Sequence, residues 1–191
     1  MRTIILASAS PRRKELLEKI GLRFKVEPSY YEEDTFARLE PHASAKQISL
    51  EKAKAVASKH ENAIVIAADT CIVFGNKIWG KPHTGKQARK MLEVISGKSH
   101  SVVTGFSIID TNKNKKLSKS VETEVHIRKL TLTEIDNYVK SKEPLDKAGA
   151  YAIQGLGAVF VERIEGDYSN VVGLPLSPLT EALKEFGIDI L

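Results

Sequence analysis

Cysteine is nearly absent from this 191-residue chain: one residue, Cys71, cannot form an internal disulfide and has no cysteine partner for a zinc site. The reading that follows is a reducing compartment, the cytosol, with Cys71 as a core filler. Aromatic residues are sparse at 6%, and Tyr30-Tyr31 is their only adjacent pair, so no stacking platform for single-stranded nucleic acid is visible. Long apolar runs are missing too. Nothing approaches the ~18 residues of a membrane span, and Ile4 to Ala7 is too short for a secretory core. The five histidines show no metal-ligand spacing.

What is present is an ordinary globular composition, 42% hydrophobic, with a net charge of +5 that suits a polyanionic partner. Much of that excess is ascribed to solvated lysine, as at Lys113, Lys115 and Lys116.

The pattern predicts a strand over residues 3–8 and a helix from Pro11 to Ile20, with Ser10 as N-cap and Gly21 as stop. Ser44 and Gln47 read as a capping box for a helix to about Lys59. A long buried strand over 63–74 then turns at Gly75-Asn76 into a short partner. Thr84 and Gln87 start a helix that ends near Gly97. An antiparallel pair over 100–110 and 120–130, a helix over 133–140, a strand over 158–166, a loop over 167–176 and a closing helix from Ser177 to Phe186 complete the chain. The mixture points to an α/β chain with a mixed sheet, folded as one unit over 1–191.

Arg12 and Arg13 stand in the first turn of the first helix, where the helix dipole favours an anion by roughly 0.3–1 kcal/mol. Two guanidiniums, backbone N–H groups and the approach through Ser8 and Ser10 together describe a phosphate cradle; Ser-Pro-Arg starts serving only to cap a helix are the alternative. Asp69 follows the apolar stretch Ile64 to Ala68, where an uncompensated carboxylate is costly. It either faces a cation or accepts bonds from neighbouring backbone at a strand end. Lys81 is displayed from a loop between Gly80 and Pro82, Glu32, Glu33 and Asp34 form an acidic cluster that could supply a metal ligand, and Lys52 lies on the second helix. Glycines 149, 155 and 157 permit close backbone approach to a ligand, with Gln154 between them able to donate to and accept from a base edge, or they tune a strand and turn.

Taken together and in order, "LASASPRRKELL", "AADT", "GKP", "EPLDKAGAYAIQGLGA" and "VVGLPL" resemble the Maf family of nucleoside triphosphate pyrophosphatases over residues 4 to about 180. The resemblance implies a Maf/inosine-triphosphatase-like α/β fold, a curved mixed β-sheet flanked by helices with a cleft between two lobes. It implies a divalent cation, Mg²⁺ or Mn²⁺, homodimers, and hydrolysis of a nucleoside triphosphate to the monophosphate and pyrophosphate. Through the same resemblance Asp69 is the catalytic acid residue, Glu33 a carboxylate near the metal with Glu32 as rival, and Ser8, Arg13, Lys52 and Lys81 surround the triphosphate. Arg12, Thr70 and Gln154 occupy the positions associated with substrate choice, and their identities match the branch acting on dTTP and UTP. The family's link to septum formation and division implies a role in that process or in nucleotide-pool cleaning. A non-catalytic nucleotide- or nucleic-acid-binding regulator is the alternative; a phosphatase releasing one orthophosphate is a third reading.

Overall fold

The computed structural model describes residues 2–31, 39–75 and 77–191; the acidic cluster Glu32, Glu33 and Asp34 lies outside them. The described elements are β1 (Thr3–Leu6), α1 (Pro11–Lys19), β2 (Lys25–Val26), α2 (Pro41–Ala57), β3 (Ala63–Phe74), β4 (Lys77–Trp79), α3 (Gly85–Ile95), β5 (Ser99–Asp110), β6 (Lys115–Ile127), α4 (Leu132–Lys140), β7 (Val161–Glu165), α5 (Tyr168–Val172) and α6 (Leu176–Lys184). Three short 3₁₀ turns, Glu143–Asp146, Ala148–Ala150 and Leu156–Phe160, separate α4 from β7.

The strands form one sheet in the order β2-β1-β3-β5-β6-β7, with β4 also on β3. It is mixed, as the sequence indicates: β1 runs parallel to β2 and β3, whereas β4 is antiparallel to β3 and β7 to β6. Two compact units divide the chain, one of residues 1–70, 103–121 and 169–191, the other of residues 71–102 and 122–168. Consequently β3, β5 and β6 each contribute residues to both.

In the first unit β3 is buried along Ala63 to Asp69, the continuous apolar run expected of a strand covered on both faces. Its alternation divides the residues between those faces. Ala63, Val65 and Ala67 join Ile5 of β1 and Ala7 just after it against Ala53 and Val56 of α2. The close seat of α2 depends on Gly105 in β5. A Cβ there would lie 2.3 Å from the Ala45 backbone.

In the second unit α3 and α4 pack together, joined by a 2.7 Å Arg89–Asp136 ion pair. Thr84 caps α3 by accepting from the Gln87 N–H, but the Gln87 side chain turns back to the His83 N–H at 2.7 Å rather than completing the expected box. The complete capping box belongs to Thr131 and Glu134 at the start of α4, a signature not singled out in the sequence.

Several expectations are corrected. Ser44 is no N-cap: α2 begins at Pro41, whose missing N–H costs nothing in the first turn, and the Ser44 N–H already bonds to Glu40 O at 2.8 Å. Ser10 holds the N-cap position of α1, but its side chain caps nothing; the Ser8 hydroxyl accepts the Ser10 N–H at 3.2 Å instead. Residues 158–160 finish a 3₁₀ turn before β7, and the expected loop over 167–176 contains α5. Cys71 is only half-buried, on β3 between half-buried Thr70 and buried Ile72, and is not a core filler. Lys115 belongs to β6 and packs its ammonium 4.8 Å from the Phe186 ring centre.

Gly105→Ala should force α2 away from β5 and lower stability by about 1–3 kcal/mol, the usual cost of overpacking. Urea unfolding is expected to show an earlier midpoint with an unchanged slope.

Candidate active site

The row of β3 residues facing α2 continues from Ala67 to Asp69, and α2 places Lys52 one residue before Ala53 of the same contact. The Lys52 ammonium donates to Asp69 Oδ1 at 2.8 Å, with both side chains 12% exposed. The carboxylate therefore faces a cation and sits within β3, not at its end. Its second oxygen has no side-chain or backbone partner among the described residues.

Thr70 points to the opposite face and meets α1. Arg13 donates from Nε to Gly173 O at 2.8 Å, from Nη1 to the Ser8 hydroxyl at 3.2 Å, and from Nη2 to the Thr70 hydroxyl at 3.1 Å. Behind it, Thr104 Oγ1 lies 2.9 Å from Thr70 Oγ1 and donates to Asn170 O at 3.0 Å. Because the Thr104 proton is used on Asn170 O, Thr70 donates to Thr104, with Gly173 O a longer second acceptor at 3.5 Å, and accepts from Arg13. The Thr70 hydroxyl is thus committed in both directions.

The structure places Lys52 and Asp69 in one pair and Ser8, Arg13 and Thr70 in a second network of the first unit, the two linked through the consecutive β3 residues Asp69 and Thr70. Arg12 belongs to the same unit and has no side-chain partner among the described residues. Thr104, Asn170 and Gly173 were missed from sequence. "VVGLPL" marks the neighbourhood, but the two that matter as acceptors act through backbone oxygens, which leave no residue-type signature.

Lys81 and Gln154 belong to the second unit, where both are exposed and neither has a partner among the described residues. The backbone on either side is tightly determined. Gly80 O accepts the Gly149 N–H at 3.2 Å, and Ala150 is fully buried in the left-handed region at φ 63°. An alanine pays of order 1 kcal/mol for that conformation, which persists only where surroundings impose it. Tyr151 supplies part of the restraint through a 2.8 Å bond to His100 Nε2, with both residues buried. Burial, and secondarily the His126 charge, hold the His100 pKa down at about 4, and burial pushes the Tyr151 hydroxyl upward.

One further set of metal-type donors occurs among the described residues. Glu124 and His126 of β6 and Glu165 of β7 lie within 4.8 Å of one another. The Arg163 guanidinium pairs with Glu165 and reaches His126 Nδ1 at 3.4 Å, so the cluster already carries its own cation.

The sequence profile of one family, described as Maf-like protein, matches residues 3–186. A dTTP/UTP pyrophosphatase of Bacillus cereus (strain AH820) is 50% identical over 190 residues, covering 100% of this chain and 98% of that protein. A dTTP/UTP pyrophosphatase of Methanococcoides burtonii is 51% identical over 191 residues, again covering 100% and 98%. Among solved structures, a HAM1 protein from Coxiella burnetii shares the fold with a TM-score of 0.53 at 16% identity, over 97% of this chain and 100% of that one. The Staphylococcus aureus Ham1 protein does so with a TM-score of 0.51 at 14% identity and the same coverage.

Thr104→Val keeps the shape but removes the donor to Asn170 O and the acceptor for Thr70. It should cost about 1–3 kcal/mol, read as a fall in the urea midpoint. A second outcome concerns pH. The neutral form of His100 is favoured by folding, so its contribution is fully present above about pH 6.5 and is lost as pH falls toward 4. The expected loss is about 3 kcal/mol by pH 4, and denaturant titrations of His100→Gln should show a flatter pH dependence over that range.

Proposed function

The chain belongs to the Maf family, and from that premise we propose that it is a nucleoside triphosphate pyrophosphatase acting on dTTP and UTP. The single observation that carries the reading is the buried Asp69–Lys52 pair, whose β3 neighbour Thr70 is held by Arg13. In the proposed reaction a water oxygen attacks the α-phosphorus, the bond from that phosphorus to the bridging oxygen breaks, and pyrophosphate leaves with the electron pair. Asp69 orients the water and takes its proton. Lys52, donating to Oδ1 at 2.8 Å, fixes the carboxylate in direction. Arg13, Lys52 and Lys81 offset charge on the phosphates, Ser8 adds a hydroxyl, and Arg12 supplies a guanidinium that has no side-chain partner among the described residues.

The donor chemistry at Asp69 fits a divalent cation. It offers a hard carboxylate with one oxygen clasped by Lys52 and the other open, and Glu33 is assigned as the second carboxylate. Bound there, Mg²⁺ or Mn²⁺ would supply charge stabilisation to the triphosphate. Arg12, Thr70 and Gln154 set substrate choice. Since the Thr70 hydroxyl is committed to Arg13 and Thr104, its contribution is shape and the placement of Arg13, while Gln154 presents a donor and an acceptor to a pyrimidine edge.

The test is incubation of the purified protein with a nucleotide panel and Mg²⁺ or Mn²⁺, separating pyrophosphate from orthophosphate. Expected products from dTTP and UTP are the monophosphate and pyrophosphate; orthophosphate alone would overturn the reading. Asp69→Asn should lose activity by about 10³-fold or more while retaining the wild-type circular dichroism spectrum.

A further inference from the structure

Gln154 protrudes from a turn with one end tied to a carboxylate and the other to a tyrosine hydroxyl bonded to that carboxylate. Glu143 opens the first 3₁₀ turn after α4. Its Oε1 accepts from the Tyr138 hydroxyl at 2.8 Å and the Gly157 N–H at 3.2 Å, and its Oε2 accepts from the Leu156 N–H at 3.0 Å. Tyr138 in turn accepts the Ala152 N–H at 3.1 Å. The chain is therefore gripped at Ala152 and again at Leu156 and Gly157, with Gln154 between. Gly155 closes the arrangement, because a Cβ there would stand 2.4 Å from the Glu143 carboxylate. The bonds favour the charged form, and the Glu143 pKa lies below the usual carboxylate value even though burial, the largest single influence, pushes it up.

We infer that Glu143, acting with Tyr138, is a specificity-positioning residue: its carboxylate sets the 152–157 turn and so the direction in which Gln154 meets the base. The assignment rests on the proposed role of Gln154 in base reading. Nothing in the turn itself would otherwise hold an exposed glutamine in one place, since its side chain has no partner among the described residues. Three acceptor bonds to one pinned carboxylate supply the restraint that a reading group requires. A glutamine at 143 would retain an acceptor oxygen but replace the other with a donor, which cannot serve the Leu156 and Gly157 N–H groups together with Tyr138.

The experiment is a double-mutant cycle on the full-length protein, scored as the ratio of kcat/KM for dTTP to that for dGTP. Gln154→Ala should lower the ratio by about tenfold, the scale of one hydrogen-bonded recognition element, and Glu143→Ala by a similar factor. The double variant should fall no further than Gln154→Ala alone. Glu143→Gln and Gly155→Ala should shift the ratio in the same direction, and either carries the test if Glu143→Ala does not fold. A purely structural role would lower both kcat/KM values in proportion and leave the ratio intact, which overturns the inference. If Gln154→Ala moves the ratio and the Glu143 and Gly155 variants do not, the positioning role fails while base reading by Gln154 stands. If Gln154→Ala leaves the ratio unchanged, base reading fails and the positioning role falls with it.

Discussion

A carboxylate at the end of the buried run of a central strand is the constraint from which the site follows. Asp69 continues a row of Ala63, Val65 and Ala67 that packs on α2, and an ionised group in that row needs an opposite charge close by. Lys52 meets the need because α2 is seated closely enough for an ammonium to reach β3. That seating is possible because Gly105 has no side chain to hold Ala45 away. Strand alternation then sends Thr70 to the other face, where α1 delivers Arg13. One local periodicity thus distributes an acid to one side of β3 and a guanidinium network to the other.

How far this was visible in the sequence differs by residue. The apolar run ending in Asp69, the Pro11 start of α1 and the long β3 could be read from type and spacing alone. The mixed character of the sheet followed from the interleaving of helices with a hairpin. Capping is less legible. Ser44 and Gln47 have the right spacing for a box, yet Pro41 three residues earlier begins the helix, and Ser44 is buried inside it. Local signatures compete, and the one compatible with packing against Gly105 prevails.

Roles carried by the backbone were illegible. Gly173 O and Asn170 O orient Arg13 and Thr104, but any residue has a carbonyl, so position and not identity matters there. Glu143 lies within a motif whose legible features are its glycines and Gln154; that its carboxylate accepts two N–H groups from thirteen and fourteen residues onward is a property of the folded turn.

The division of the chain into interleaved units bears on the order in which the protein acquires its site during synthesis. Arg13 is bonded to Gly173, 160 residues away, and the first unit needs residues 169–191 as well as the first 70. A ribosome that has made two-thirds of the chain has therefore exposed α1 and β3 without the loop that orients Arg13. Contacts of such separation are slow to form and leave apolar strands uncovered meanwhile. Truncation near the C-terminus would accordingly damage a site whose acid, Asp69, and arginine, Arg13, are encoded within the first 70 residues.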